Sequence, residues 1–322
     1  MKTKYSPHVR TRNTVRAMYA DMLIAQAPII IMAMLFYGLR PLVLVLSAAL
    51  AAGTAGFIVN YIFGRREETM SFSIFSGFTV ALLCPATVDN LWLILCVVIS
   101  TVAAVLFRQI KSLKRLMINI NAPALSVCLL ALFFAGHMLK YPPNTSMSSL
   151  SIFANPQQEY AVSLLQMLNG GLSVNVAFNE LLMGLYSGPM GATCIIVLLA
   201  SAFYLIYRHT VAWRCLISFF AVYAIAMTLL NLNGNMKNIL FELCAVLFSG
   251  VFLVGLTKTA PKSSRGRLVF GALVGLLAFI FRLCSLYMAV PFAVFIVSLG
   301  SSYIDLGIWN LSVKKHKKKF IV

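Results

Sequence analysis

Three of the eight carboxylates in this 322-residue chain fall inside or at the ends of long apolar runs: Asp21, Glu242 and Asp305. An ionised side chain at the centre of a bilayer costs about 3 kcal/mol on insertion scales, so such a residue marks either an ion or proton path or a buried charge pair. Glu242 follows Ile239, Leu240 and Phe241 in an apolar helix, with Lys237 and Arg282 as its basic candidates. Pairing and ion coupling are both open for it. Asp21 and Asp305 stand near the ends of their runs, where water or a helix N-terminus satisfies a carboxylate. The remaining acids, Glu67, Glu68, Asp89, Glu159 and Glu180, fall in loops or loop helices. The seven cysteines show no Cys-x-x-Cys spacing and read as small buried hydrophobes. His8, His137, His209 and His316 are scattered, whereas a metal site needs clustered ligands, so none is expected.

The elements that position these groups are membrane helices. Hydrophobic residues make up 61% of the chain and charged ones only 11%, against roughly 25% charged in soluble domains. Apolar runs recur at the length that crosses about 30 Å of hydrocarbon as helix. Ten spans are read, at 18–37, 41–63, 71–88, 91–107, 123–139, 191–207, 215–230, 239–256, 268–287 and 288–309. With the N-terminus inside, 22 of the 26 Lys and Arg fall on the cytoplasmic side, leaving Arg40, Lys140, Lys237 and Arg282 outside. The net charge of +18 is therefore read as the orientation signal of membrane insertion and not as a nucleic-acid surface.

The organisation that follows is an all-α polytopic membrane protein of about ten transmembrane helices in two five-helix sets. A retained basic arm (1–17) precedes the first set (18–139), an extracytoplasmic loop (140–190) precedes the second (191–309), and a basic tail (310–322) ends it. Five spans per set give the two sets opposite topologies, as in inverted-repeat transporters, with both termini cytoplasmic. In the loop, Ala161, Leu164, Leu165 and Leu168, then Phe178, Leu181 and Leu182, repeat at helical spacing and predict two short amphipathic helices. The third span holds Ser71, Ser73, Ser76, Gly77, Thr79 and Pro85 and is expected to be short or broken. Close packing through small residues and the lining of a cavity are both open for it.

Several segments arrive in a recognisable order: the N-terminal arm through "GLRPLVLVL", "SGFTVALLCPATV", "NINAPAL", "NELLMGLYSGPMGAT", "LIYRHTVAWR", "TKTAPKSSRGRLVFGALVGLLAFIFR", and a closing Asp305. Nearly the whole chain resembles RnfD, the D component of the Rnf electron-transport complex, and its relative NqrB of the sodium-pumping NADH:quinone reductase. The resemblance implies a cell-membrane subunit that works with other membrane and peripheral subunits in electron transfer coupled to Na+ or H+ translocation. It also implies flavin mononucleotide (FMN), often esterified to a Thr in an outward-facing motif. Carried onto this sequence, the attachment position is Ser151, with Asn119, Asn121, Gly188, Gly191 and Thr193 as further cofactor-binding candidates.

The sequence departs from the family pattern at its polar landmarks. Thr145, Leu150 and Ile152 surround Ser151 where the family has Asp, Ala and Pro. Ala192 stands for a Glu, Gly255 to Thr257 replace a Thr-Asp-Pro, and Ser298 replaces an Asn. These departures predict weak or absent covalent attachment. The turn 187–193 is read in two ways, as a glycine turn that simply starts a helix and as a cradle for a flavin phosphate at a helix N-terminus. Three functions remain: a redox subunit with reduced or lost flavin binding, a non-redox membrane scaffold on the same fold, and a transporter-like paralogue.

Overall fold

The computed structural model describes residues 15–63, 69–109, 119–142, 178–184, 186–230, 243–244, 246–284, 286 and 288–319. Among these residues the protein is helical, with one isolated antiparallel bridge, between Val211 and Leu256, and no strand. Helix α1 (Val15–Tyr37) closes on Gly38, whose φ of 74° lets its N–H reach the Met34 carbonyl at 2.9 Å. This left-handed residue ends the helix at little steric cost. Helix α2 (Arg40–Ile62) starts at once, with Pro41 in its first turn, where no hydrogen bond is lost. There follow α3 (Thr69–Leu83), α4 (Asn90–Gln109), α5 (Ala122–Phe133), and the short α6 (Ala135–Met138) and α7 (Phe178–Met183). After a 3-10 turn, Met190–Ala192, come α8 (Ile195–Tyr207) and α9 (Trp213–Leu230). The three-residue α10 (Leu247–Ser249) passes directly into a π-helical turn, Gly250–Val254. The chain continues through α11 (Ser264–Leu283), α12 (Ala289–Leu299) and α13 (Ser301–Lys319).

Five helices, α1, α2, α4, α9 and α11, are long and apolar enough to cross a membrane. The pair α12 and α13, bent by 52° at Gly300, adds a sixth if taken as one span. Helices α3, α5 and α8 are apolar but shorter, and the segment read as an eighth span is described only from residue 243. Hydropathy therefore outlines longer segments than the hydrogen bonds support. A hydropathy window counts apolar side chains, while a helix ends where its peptide bonding fails. Pro85 has no N–H to continue α3, and the residues before Ile195 form a 3-10 turn in place of the first turn of α8.

The elements pack in a regular pattern. Helix α2 lies against α3 and α4, α4 against α5, and α3 against α1 and α5. Farther along, α9 lies against the π turn and α11, α11 against α12, and α12 against the π turn. Contacts between these groups run from α1 to α8 and from α5 to α12. Helix α3 is short for a spanning helix and packs closely on α2. A Cβ on Gly77 would meet the Ala48 and Ala49 backbone, and one on Gly56 would meet the Ser73 side chain. Of the two readings of the third span, the structure shows close packing through small residues, the usual basis of helix association in lipid.

This contact is directly testable. Gly77→Val forces α2 and α3 apart and is expected to cost about 1–3 kcal/mol, the usual range for overpacking. Gly136→Ala, where nothing lies within 4 Å, serves as the control. Thermal unfolding of the purified protein in detergent checks the pair: a lowered midpoint for the first and an unchanged one for the second.

Candidate functional site

Each break between helices exposes peptide groups, and the polar residues of the chain gather at those breaks. At the elbow between α3 and α4, Arg40 reaches over from the start of α2. Its Nε donates to the Ala86 carbonyl at 2.7 Å and its terminal nitrogen to Val88 at 3.0 Å. The Met190 N–H donates to the Cys84 carbonyl at 3.2 Å, which keys the turn before α8 into the same elbow. The Thr87 hydroxyl donates to the Lys140 carbonyl.

The turn 187–193 is thus part of the packed interior. The Tyr37 hydroxyl donates to the Gly188 carbonyl at 3.4 Å, and that of Tyr186 donates to Ala192. Thr193 is 1% exposed and its hydroxyl donates to the Met190 carbonyl at 3.2 Å. The Ala192 N–H closes the 3-10 turn on Pro189 at 3.0 Å. A Cβ on Gly191 would lie 2.7 Å from the Phe248 ring and 2.9 Å from Leu82. Sequence reading starts the helix at Gly191, but regular α geometry begins only at Ile195. Two of the amides expected to be open, those of Met190 and Ala192, are bonded within the protein.

The asparagines before α5 also meet protein partners. Asn121 caps α5, its Oδ1 accepting from the Ala124 N–H at 3.3 Å. Its Nδ2 reaches both the Leu253 carbonyl and the Thr259 hydroxyl at 3.4 Å, so it joins the start of α5 to the π turn. Asn119 donates to the Ser301 and Ser302 hydroxyls at 2.9 and 3.0 Å, at the start of α13.

The two described carboxylates of the apolar runs are engaged as well. Asp21, 7% exposed, receives both ends of the Arg208 guanidinium, Nε at 3.2 Å and the terminal nitrogen at 3.1 Å. Tyr204 adds its hydroxyl at 3.3 Å. This fork joins α1 to the end of α8 and raises the Arg208 pKa, first through hydrogen bonding and then through the charge of Asp21. Beside it, the Lys258 ammonium lies over the rings of Tyr19 at 5.4 Å and Phe72 at 4.8 Å. Asp305 accepts from the Lys262 N–H at 2.7 Å, the Ser263 N–H at 3.1 Å and the Ser263 hydroxyl at 2.6 Å. The same Ser263 Oγ caps α11 by accepting from Gly266 at 3.1 Å. Glu242, Lys237 and Ser151 lie outside the described residues.

Sequence reading missed Gln26. Its side chain is fully buried in α1, its Nε2 donates to the Thr79 hydroxyl at 2.9 Å, and its Oε1 has no hydrogen-bond partner. A lone amide within the apolar run of the first span was the signal that could have found it. Among the described residues, no group of three or more His, Cys, Asp and Glu side chains comes together.

The sequence profile of the NQR2, RnfD, RnfE family matches residues 2–311. The chain belongs to this family. It is accordingly an integral, polytopic membrane protein, as its apolar helices require. It is similar to proteins named as the D component of an ion-translocating oxidoreductase complex. The relative from Haemophilus ducreyi is 30% identical over 112 residues, 33% of this chain and 32% of the relative. The one from Ectopseudomonas mendocina is 31% identical over 129 residues, 38% of this chain and 37% of the relative. The one from Methanosarcina acetivorans is 24% identical over 283 residues, 85% of this chain and 83% of the relative. The chain therefore spans about a third of the length of the first two relatives and most of the third. In this member of the NQR2, RnfD, RnfE family, the matched region includes every polar tie described above.

The Asp21–Arg208 fork predicts an asymmetry. The Asp21 side chain is 10% exposed and that of Arg208 47%. Arg208→Gln strands a buried carboxylate, while Asp21→Asn leaves a cation that can turn to water. The first is expected to be the more destabilising, yet to stay below the roughly 3–5 kcal/mol of a fully buried pair, because water screens the guanidinium. The double variant should be less damaging than the sum of the two singles, and a double-mutant cycle of unfolding midpoints measures this.

Proposed function

We propose that the chain is the D-type integral component of an ion-translocating oxidoreductase complex. In this reading it takes part in transmembrane electron transfer coupled to Na+ or H+ movement, beside other membrane and peripheral subunits in the cell membrane. The observation that carries it is the family match over 2–311, extended by an alignment over 283 residues with a relative named for that role.

We further propose ten membrane segments in two five-helix sets of opposite topology, with both termini cytoplasmic. The contacts of the two halves support this, because they correspond pair by pair. The packing of α2 on α4 parallels that of α9 on α11, and α4 on α5 parallels α11 on α12. Likewise, α3 on α5 parallels the π turn on α12, and α1 on α3 parallels α8 on α10. The cross-contacts, α1 with α8 and α5 with α12, join equivalent elements, as a pseudo-two-fold axis in the membrane plane requires. A cysteine probe at Ser149 in a cysteine-free background should react only from the extracytoplasmic side, and labelling only from the cytoplasm rejects the topology.

The cofactor of this proposal is FMN, with Ser151 as the position of any covalent link and the turn 187–193 near its phosphate. A second reading, a non-redox scaffold, draws on the engagement of Asp21, Asp305, Asn119 and Asn121 by protein groups. Purification of the tagged chain from its native membranes separates the two. The redox reading expects co-purifying redox subunits and a flavin visible in the absorption spectrum. It also expects little or no fluorescent band in denaturing gels, with any such band abolished by Ser151→Ala. An isolated, colourless protein favours the scaffold.

A further inference from the structure

Asp305 sits in a cavity of about 680 Å3 between the start of α11 and the face of α13. Its walls are of two kinds. Lys262, Ser264 and Arg265 form a polar end, and Leu306, Ile308 and Trp309 form an apolar one. The amides of Lys262 and Ser263 are already bonded to Asp305, so the cationic character comes from the Lys262 and Arg265 side chains, both exposed. Asp305 contributes one negative charge, but three hydrogen bonds and the neighbouring Lys262 offset it. No hydrogen bond or ion pair to another described residue engages the Arg265 guanidinium. Trp309, 65% exposed, lies where α13 leaves the apolar part of the chain and the basic tail from Lys314 to Lys319 follows.

We propose that this groove binds an anionic phospholipid, its headgroup phosphate between Lys262 and Arg265 and the upper part of its acyl chain along Leu306 and Trp309. A free phosphate would use the polar end and leave the apolar wall bare. An uncharged lipid would leave two cations unmatched. The two ends together fit an amphiphile with a phosphate head, and an exposed Trp beside them suits the headgroup level of a bilayer. The inference rests on the chain being an integral membrane protein and is independent of the redox reading.

The test uses the full chain in neutral micelles with Trp92→Phe and Trp213→Phe, which leaves Trp309 as the reporter among three tryptophans. Brominated phosphatidylglycerol should quench Trp309 at a lower mole fraction than brominated phosphatidylcholine. Lys262→Gln with Arg265→Gln should reduce that preference by about fivefold per charge removed, the usual worth of a basic residue at an anionic surface. Arg65→Gln with Arg66→Gln removes the same charge elsewhere in the sequence and should leave the preference in place. Glycerol 3-phosphate at millimolar concentration should not relieve the quenching. Equal quenching by the two lipids, a preference that survives loss of Lys262 and Arg265, or one lost equally in the Arg65 and Arg66 variant overturns the proposal. Relief by glycerol 3-phosphate also overturns it and makes the groove a soluble-phosphate site. Flavin content and partner subunits do not enter the readout.

Discussion

The Arg40 guanidinium, held by the Ala86 and Val88 carbonyls, illustrates the constraint under which the whole molecule is built. In hydrocarbon a peptide group without a partner costs several kcal/mol, so a helix can break at depth only where another part of the protein meets the exposed groups. Two such breaks occur in the described chain. The elbow after α3 is met by Arg40 and by the Met190 N–H. The π turn and the residues after it are met by Asn121 at Leu253, by the Ala212 N–H at Gly255, and by Asp305 at Lys262 and Ser263. Each donor or acceptor comes from a distant element. The broken helices therefore tie the bundle together, because neither break is stable unless its neighbours are in place.

This constraint also explains what became of the residues whose types best suit chemistry. A carboxylate in an apolar run is either a functional group or one half of a structural tie, and Asp21 and Asp305 make strong local bonds. The same holds for Asn119 and Asn121, whose amide donors each bridge two partners. Such ties hold the turns around any cofactor or ion path without having to touch it. Gln26, with an acceptor left over inside α1, is a polar side chain in the core that the protein itself does not fully satisfy.

Much of the architecture was legible in the sequence because bilayer thickness acts on length and apolarity, which a sequence displays directly. The runs that became α1, α2, α4, α9 and α11 were each located to within a few residues. The weakness of α3 was visible in Ser73, Ser76, Gly77 and Pro85. Less legible were features fixed by bonds between segments. Nothing near Gly191 shows that Phe248 and Leu82 will close over it, or that regular helix will wait until Ile195. Asn121 could be read as a helix cap or a ligand, and its second role depends on a carbonyl 132 positions away. The family resemblance was legible for a related reason: it rests on turn residues such as "SGP" and "CPA", where the backbone demands are strictest.

The π-helical turn Gly250–Val254 has a further consequence. Its defining bond, from the Gly255 N–H to the Gly250 carbonyl at 3.0 Å, spans five residues, so it holds one more residue than an α turn would. Gly250 lies against the Phe220 and Phe219 rings at the point where this wider loop bulges. Removing one residue here would give a regular α turn and would look mild in an alignment. It would also rotate everything after it by roughly 100° about the helix axis, the angular step of one residue. The carbonyls that receive Asn121 and Ala212 would then face away from them. Chain length at this point is thus a coordinate of the fold, and a gap of one residue here between relatives would signal a rebuilt elbow and not a trimmed loop.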